Sequence, residues 1–239
     1  MTPSRNVLVT GAARGLGKAM ALHLAAPGTV LFLHVRTGGD AVEELAREAE
    51  AKGARAVCLA ADLAEPAERE RLVAALGEQT GALQVLINNV GLYRPTPLLE
   101  QTAEEWRTTL EVTCTAVFHL IQLAAPLLRR GAPARVVNLG DSGNDRVRAR
   151  DQAVPYHIAK LGVNVITRSF AKALGPDGIT VNQISPGILE NSLDGPDSPI
   201  PAGRRGRFAD ILAALDFLLS AEAEYVSGAN LTVSGGWNL

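Results

Sequence analysis

Two short segments of the chain carry residues that could do chemistry together. Tyr156 and Lys160 stand four residues apart, a spacing that places a phenol and an ammonium group on one face of a helix. Far upstream, the segment 10–17 reads Thr-Gly-Ala-Ala-Arg-Gly-Leu-Gly between an apolar run and a helical pattern. A glycine-rich turn of this kind brings backbone amides and a helix N-terminus against a phosphate group. The first segment indicates proton transfer, and the second indicates binding of a dinucleotide.

The pairing of the phenol with the ammonium predicts how the proton would move. Because a nearby positive charge favours the phenolate, we expect Lys160 to lower the pKa of Tyr156 until the phenol exchanges a proton near neutral pH. Such a phenol acts as a general acid when a carbonyl is reduced and as a base in the reverse reaction. The alternative interpretation is an amphipathic helix that carries Tyr and Lys by coincidence.

The elements that would position these residues alternate between strands and helices. Short apolar runs predict seven strands, each buried on both faces, at 6–10, 29–35, 55–60, 84–88, 134–139, 179–184 and 230–233. Stretches of helical period separate them; Asp40 is expected to cap one helix, and Thr102 with Glu105 has capping-box spacing before another. The pattern predicts one doubly wound α/β domain, a parallel sheet of about seven strands with helices on both faces.

Composition limits the classes of partner. The chain has 239 residues, 47% of them hydrophobic, which is enough for one sizeable core. A net charge of −2 argues against nucleic acid, and no uninterrupted apolar run is long enough to cross a bilayer, so we expect a cytoplasmic protein with a small-molecule substrate. Cys58 and Cys114 are expected to be buried, reduced thiols, and their spacing indicates no metal site.

Further polar residues follow the predicted strands. Asp62 comes after the third, Asn88-Asn89-Val90-Gly91 ends the fourth, and Pro186-Gly187 follows the sixth. Ligands of open parallel sheets bind at the carboxyl ends of strands, so these residues are predicted to share one edge with the glycine turn. Taken singly, each is equally well explained as a loop cap.

In the order glycine turn, Asn-Asn-x-Gly, Tyr-x-x-x-Lys and Pro-Gly, the chain resembles the short-chain dehydrogenase/reductase family from end to end. The resemblance implies a Rossmann-type fold, hydride transfer with a nicotinamide, a catalytic Tyr and Lys assisted by a Ser and an Asn, and a homo-oligomer, dimer or tetramer. The cofactor-binding positions that it implies are Gly11, Arg14, Gly15, Leu16, Gly17, Arg36, Asp62, Leu63, Asn89, Val90, Gly91, Tyr156, Lys160, Pro186, Gly187 and Asn191.

Cofactor choice depends on the end of the second predicted strand. NAD-binding sites carry a carboxylate there for the ribose 2′-hydroxyl, and the segment 33–37 has none. Arg36 instead follows Val35, and Arg14 lies in the glycine turn, so two guanidinium groups are predicted to converge on a 2′-phosphate. This favours NADP(H), the alternative being that both arginines are solvated surface charges.

Two catalytic positions depart from the family pattern. Asp141 stands in the place of the usual serine, and a one-residue shift would bring Ser142 there instead. Pteridine reductases of the family also carry an Asp at this place, which makes a pterin C=N bond a candidate target. Thr113, seven residues after Trp106, replaces the usual asparagine of the proton relay. Both departures leave the catalytic set incomplete by the family's standard.

Substrate specificity is expected to come from loops. The segment 193–207 is a candidate for a short lid. Arginines that could attract an anionic substrate tail, or that are simply solvated, are Arg146, Arg148, Arg150, Arg204, Arg205 and Arg207. The segment 226–237 resembles the ending of 3-oxoacyl-carrier-protein reductases.

The resulting hypothesis is an NADP(H)-dependent reductase of a carbonyl (3-oxoacyl or ketone) or a pterin-type C=N substrate, with Tyr156 as proton donor. The alternative is a non-catalytic NADP(H)-binding or sensing protein with a degenerate active site.

Overall fold

Strands and helices alternate along the whole described chain. The computed structural model describes residues 5–143, 146–192 and 199–238. Its strands are β1 (Arg5–Thr10), β2 (Thr29–Val35), β3 (Arg55–Ala60), β4 (Val85–Asn88), β5 (Ala134–Leu139), β6 (Ile179–Pro186) and β7 (Asn230–Val233). Its α-helices are α1 (Gly15–Leu24), α2 (Asp40–Ala51), α3 (Pro66–Gln79), α4 (Ala103–Leu110), α5 (Ala116–Arg130), α6 (Val154–Leu174) and α7 (Phe208–Leu219). The predicted strands are therefore confirmed to within two residues at each end.

The strands form one parallel sheet in the order β3-β2-β1-β4-β5-β6-β7. The chain starts in the middle, builds outwards to β3, and then crosses to the other side of β1 at β4. Connections on the two sides of this switch point leave in opposite directions, so a crevice opens at the carboxyl ends of β1 and β4. The predicted doubly wound α/β fold of Rossmann type is confirmed.

Alternating side chains bury both faces of the central strands. Leu8 of β1 and Leu86 of β4 belong to a core layer under α3, α5 and α6. Val7 and Val9 of β1 face the opposite layer, with side chains from α1, α2 and α7. The expectation that every strand is buried on both faces is wrong for β3 and β7, because strands at the sheet edges are covered less completely.

The cysteine prediction is also wrong in part. Cys58 is exposed because it lies on the edge strand β3, and Cys114 is half-buried. Both thiols are free. Burial raises the pKa of each thiol above its ordinary value, so neither is activated as a thiolate.

One continuous helical stretch, Ala103–Arg130, contains α4 and α5 joined by a π-helical turn over Glu111–Thr115. By length and composition this stretch is apolar enough to cross a membrane. In the fold, 44% of its most apolar part is buried. The buried residues of α5, including Leu120 and Leu128, belong to the core layer with α3 and α6.

Helix caps bear out one of the two predictions. The Glu105 backbone N–H donates to the Thr102 hydroxyl oxygen at 3.1 Å, and the reciprocal bond is present, so the capping box begins α4. Asp40 does not cap α2: it is the first helical residue, and Gly39, with φ of 149°, takes the N-cap position. Asp40 instead places a negative charge in the first turn, where it complements the helix dipole.

Candidate active site

The glycine turn between β1 and α1 requires its three glycines. Gly11 and Gly15 have φ of 64° and 55°, the left-handed region that side chains disfavour. A Cβ on Gly17 would overlap the carbonyl oxygen of Gly11. The turn therefore presents bare backbone at the N-terminus of α1, and this shape fits a pyrophosphate.

A buried histidine forms a hydrogen bond with the glycine turn. The Gly11 N–H donates to His34 Nδ1 at 3.2 Å, and His34 Nε2 lies 3.0 Å from the carbonyl oxygen of Ala61. Because Nδ1 accepts, Nε2 must carry the proton and donate to Ala61. Burial lowers the pKa of His34, which keeps the imidazole neutral as this pattern requires. His34 thus ties the glycine turn to the chain just after β3.

Asn89, which directly follows β4, also forms hydrogen bonds with the glycine turn. Its Nδ2 donates to the carbonyl oxygens of Thr10 and Gly11 at 2.9 and 3.3 Å, and its backbone N–H donates to the Thr10 hydroxyl at 2.9 Å. A Cβ on Gly17 would also lie only 2.7 Å from Asn89 Nδ2. These contacts place the Asn89 amide beneath the turn, while Val90 and Gly91 continue along the crevice.

The residues expected around the adenosine lie along the same edge. Arg14 is the N-cap of α1 and Arg36 follows β2 directly, and both are exposed. Asp62 lies after β3, where its Oδ1 accepts from the Ala64 N–H at 2.9 Å; Leu63 is buried beside it. Arg14 thus lies within the glycine turn, and Arg36 directly follows the strand that neighbours β1.

Asn191 reaches the glycine turn from the far side of the crevice. A Cβ on Gly15 would lie 3.3 Å from Asn191 Nδ2. Pro186 ends β6, and Pro186, Gly187 and Asn191 all line the cavity described below. The predicted cofactor-binding segments from β1, β4 and β6 therefore share one crevice.

Lys160 is a buried charged side chain, 4% exposed. Its Nζ donates to the carbonyl oxygen of Leu139 at 2.5 Å and lies 5.8 Å from the centre of the Tyr156 ring. Burial lowers the pKa of Lys160 from 10.5 to about 8, partly offset by the negative charge of Asp141. Lys160 is thus still mostly an ammonium at neutral pH, although its burial disfavours the charged form.

The predicted direction of the Tyr156 pKa is wrong. Burial, the charge of Asp141 and the neighbouring Tyr93 raise the pKa of Tyr156 well above its ordinary value of 10. The Tyr93 ring meets the Tyr156 ring edge-on, with centres 5.1 Å apart. The phenol is therefore held protonated, the form needed to donate a proton.

Thr113 lies in the π-helical turn and is fully buried. Its hydroxyl oxygen accepts from the Leu92 N–H at 3.0 Å. A Cβ on Gly91 would lie 3.2 Å from Lys160 Nζ and 3.7 Å from Thr113 Cγ2, so these three residues meet closely. The hydroxyl of Thr113 holds the segment after β4, and its methyl group faces Gly91.

A cavity of about 470 Å³ opens over Tyr156. Asp141 lines it, and its Oδ1 accepts from the Gly143 N–H at 2.9 Å. Ser142 is 2% exposed, does not line the cavity, and its hydroxyl has no hydrogen-bond partner among the described residues. The structure therefore brings Asp141, rather than Ser142, together with Tyr156.

The candidate lid 193–207 is only partly covered, since 193–198 lies outside the described residues. Gly206 forms a parallel bridge with Leu189, and the Ala202 N–H donates to Gly235. Arg204 binds the Asp210 carboxylate through both Nη atoms, at 2.7 and 2.8 Å. This arginine therefore already has an anionic partner.

Several cavity residues were missed from the sequence. Tyr93, His157, Trp237 and Asn238 all line the cavity. His157 packs edge-on against Tyr156 with ring centres 5.5 Å apart. Adjacency to Tyr156 was a usable signal for His157, whereas Trp237 is brought in only by the fold. No cluster that could hold a metal ion occurs in the part of the chain that the structure describes.

Comparison with known proteins agrees with this geometry. The family profile described as "Enoyl-(Acyl carrier protein) reductase" matches residues 11–238. The 3-oxoacyl-(acyl-carrier-protein) reductase FabG of Staphylococcus aureus is 32% identical over 249 aligned residues, which cover 99% of each chain. The short-chain dehydrogenase/reductase eriH of Hericium erinaceus is 31% identical, with 96% of each chain covered.

Solved structures are similar over the whole chain. The RhlG/NADP complex of Pseudomonas aeruginosa has a TM-score of 0.89 at 31% identity, covering 100% of this chain and 98% of that one. A short-chain dehydrogenase of Burkholderia cenocepacia in complex with NADP has a TM-score of 0.90 at 31% identity, with 99% of each chain covered. The chain therefore belongs to the short-chain dehydrogenase/reductase family. Within that family it resembles the 3-oxoacyl-(acyl-carrier-protein) reductases, and it is an oxidoreductase.

Proposed function

We propose that the chain is an NADP(H)-dependent reductase of a carbonyl or pterin-type C=N bond, with Tyr156 as proton donor. The observation that carries this proposal is the cavity in which Tyr156 and Asp141 face Gly187 and Asn191 beside the glycine turn. NADPH supplies a hydride when bound. Tyr156, Lys160 and Asp141 would supply the proton and the orientation of the substrate.

Selection of NADP(H) is supported by Arg14 and Arg36. Both arginines are exposed at the carboxyl edge of the sheet. Arg14 lies in the glycine turn, and Arg36 directly follows β2. A 2′-phosphate between them would form charge-assisted hydrogen bonds. The similar structures from Pseudomonas aeruginosa and Burkholderia cenocepacia are NADP complexes, which supports the same choice here.

The charge state of the site suits reduction more than oxidation. A phenol whose pKa is raised by burial keeps its proton until an alkoxide or amide anion develops beside it. The Lys160 ammonium, 5.8 Å from the ring centre, would stabilise the phenolate left behind. Asp141 acts against that phenolate while ionised, so a substrate that binds Asp141 would ease proton release.

That role of Asp141 is the observation that favours a pterin-type substrate over a 3-oxoacyl group or a simple ketone. A carboxylate can accept from the amino and ring N–H groups of a pterin, whereas a ketone offers no donor. The similarity to 3-oxoacyl-(acyl-carrier-protein) reductases favours the carbonyl instead. Both substrates fit a proton donor at Tyr156.

The second candidate function is NADP(H) binding without catalysis. It is favoured by Ser142, whose hydroxyl lies outside the cavity, and by Thr113, whose hydroxyl holds Leu92. A sensing protein of this kind would bind NADPH but would not oxidise it, whichever acceptor is supplied.

We further propose a homo-oligomer, a dimer or tetramer, that works in the cytoplasm. Phe118 of α5 and Ile158 and Val165 of α6 are large apolar side chains that are 42%, 45% and 62% exposed. Apolar surface of this kind on neighbouring helices suits an isologous contact. The free thiols suit a reducing compartment.

The test is a screen for NADPH oxidation with 3-oxoacyl thioesters, simple ketones and dihydropterins or quinoid dihydropterins. Asp141→Ser and Asp141→Ala are compared with the unmodified protein. A pterin reductase would lose turnover in both variants, whereas a carbonyl reductase would keep or gain it in Asp141→Ser. NADPH binding with no oxidation by any acceptor would favour the non-catalytic function.

A further inference from the structure

A second, smaller cleft of about 110 Å³ adjoins the catalytic cavity. Its walls come from the chain between β5 and α6 and from the first turns of α6. Arg146 and Arg148 line the small cleft, and Arg150 and His157 line both the small cleft and the cavity. The small cleft and the cavity therefore share part of one wall.

Gly143 lines the small cleft next to side chains that line the cavity. A Cβ there would lie 2.8 Å from Arg150 Nη2, 3.1 Å from Asn238 Nδ2 and 3.2 Å from Asp141 Oδ1. Arg148 Nη1 donates to Asn238 Oδ1 at 3.1 Å, which links the chain before α6 to the chain after β7. The absence of a side chain at Gly143 lets two donors and one carboxylate oxygen approach the same point.

The small cleft is the more positive of the two spaces. Within the described lining it holds three guanidinium groups and no carboxylate, although Asp141 Oδ1 lies close to its Gly143, whereas the cavity is lined by Asp141 and Asp151 together with Arg150. Among the described residues, none of the arginines 146, 148 and 150 forms an ion pair. The positive end of the 21-residue helix α6 also points here, since Val154 is both its first residue and part of the wall.

His157 adds a buried nitrogen to the same wall. Its Nδ1 is inaccessible to solvent and has no partner among the described residues. Burial and the charge of Arg150 lower the pKa of His157. An anion bound beside Arg150 would act in the opposite direction and favour the protonated imidazole.

We infer that the small cleft binds an anionic group, a carboxylate or phosphate, on the part of the substrate remote from the reacting carbon. This rests on the proposed reductase function and narrows it to anionic substrates. The arginines attract the charged end, and Asp141 repels it from Tyr156. A substrate with one anionic end can thus enter in only one orientation.

The first experiment needs no turnover. Inorganic phosphate is titrated into the protein saturated with NADP⁺, which occupies any 2′-phosphate site, and the imidazole proton resonances are followed by NMR across pH. The signal of His157 among the four histidines is assigned with His157→Gln. Phosphate should raise the pKa of His157, and this effect should vanish in the triple variant with Arg146, Arg148 and Arg150 replaced by Gln.

Arg47→Gln, an exposed arginine on α2, is the matched control and should respond as the unmodified protein does. The same phosphate response in the triple variant, or no response in the unmodified protein, overturns the inference. The phosphate response could instead occur only in proteins that keep the three arginines, while no acceptor is reduced. That result would support the anion site and contradict the proposed reductase function.

The second experiment compares substrates with the same reacting group. Pairs are dihydrofolate against a dihydropterin without a carboxylate, and a 3-oxoacyl-coenzyme A against the same acyl group on N-acetylcysteamine. In Arg146→Gln/Arg148→Gln, the ratio of kcat/KM for the charged to the neutral member should fall about 10-fold, as expected for the loss of two partly solvated charge contacts. An unchanged ratio for both pairs contradicts the inference. The pair that responds tells a carboxylate from a phosphate.

Discussion

Replacing Lys160 by methionine is expected to stabilise the protein while removing its activity. Lys160 is 4% exposed, and burial lowers its pKa from 10.5 to about 8. At about 1.36 kcal/mol per pH unit, the native fold at neutral pH carries about 3 kcal/mol of unfavourable free energy to keep this group charged. Methionine has a similar length and no charge, so the variant is relieved of that cost.

One opposing contribution has to be subtracted. The variant loses the hydrogen bond from Nζ to the carbonyl oxygen of Leu139, 2.5 Å long, which contributes about 2 kcal/mol because the donor is charged. The expected net gain in the free energy of unfolding at pH 7 is therefore about 1 kcal/mol. Activity should fall because the phenolate of Tyr156 would lose its only adjacent ammonium among the described residues.

The pH dependence of stability provides a second test that the charged Lys160 destabilises the fold. Below pH 8 both the folded and unfolded chains hold the Lys160 proton, so the penalty is fully present. Between about pH 8 and 10.5 the folded chain releases the proton first, and the penalty disappears as pH rises. The stability advantage of Lys160→Met should therefore shrink over that interval.

Urea unfolding at pH 7 and pH 10 measures both effects. Lys172→Met, which removes an exposed lysine near the end of the same helix, serves as the control and should change stability by less than about 0.5 kcal/mol. If Lys160→Met is less stable than the unmodified protein at pH 7, or if its advantage does not change by pH 10, the buried ammonium is not a source of strain.

Four further perturbations test the site. Tyr156→Phe should lower kcat by about 10²- to 10⁴-fold, measured by NADPH oxidation, while NADPH binding by fluorescence persists. Arg36→Ala should lower the ratio of kcat/KM for NADPH to NADH about 10-fold; an unchanged ratio would place the 2′-phosphate elsewhere. His34→Leu leaves the Gly11 N–H without its acceptor and should weaken NADP⁺ binding roughly 10-fold in calorimetry, with partial recovery in His34→Asn. Gly17→Ala should abolish NADP⁺ binding and lower the thermal midpoint, because its Cβ would overlap Gly11; full binding would refute the steric argument.

The sheet was predictable because its signals are local. Runs of β-branched and apolar residues define strands whether or not their neighbours are known, and β2, β3, β5 and β7 have the predicted bounds. Motifs at strand ends were equally accessible, since parallel strands bring their carboxyl ends to one edge. The placement of Gly11, Asn89 and Pro186 along one crevice follows from that rule.

What the sequence could not supply depends on contacts between distant segments. The raised pKa of Tyr156 results first from burial and then from the charge of Asp141, and the spacing of Tyr156 and Lys160 in the sequence shows neither. The exposure of Cys58 follows from the position of β3 at the edge, and strand order is not written in any one strand. Trp237 lines the cavity because the chain after β7 returns to the loop after β5.

The π-helical turn at Glu111–Thr115 accommodates one extra residue in the helical stretch Ala103–Arg130. A π turn is equivalent to one residue inserted into an α-helix. Deleting one residue from this turn would restore a regular helix and leave α4 and α5 nearly in phase, but the widened turn that positions Thr113 would be lost. The hydroxyl of Thr113 would then leave Leu92, and the segment that carries Tyr93 would lose its anchor. Single-residue insertions and deletions in this helix are therefore not expected to be tolerated, even though substitutions over much of its surface are.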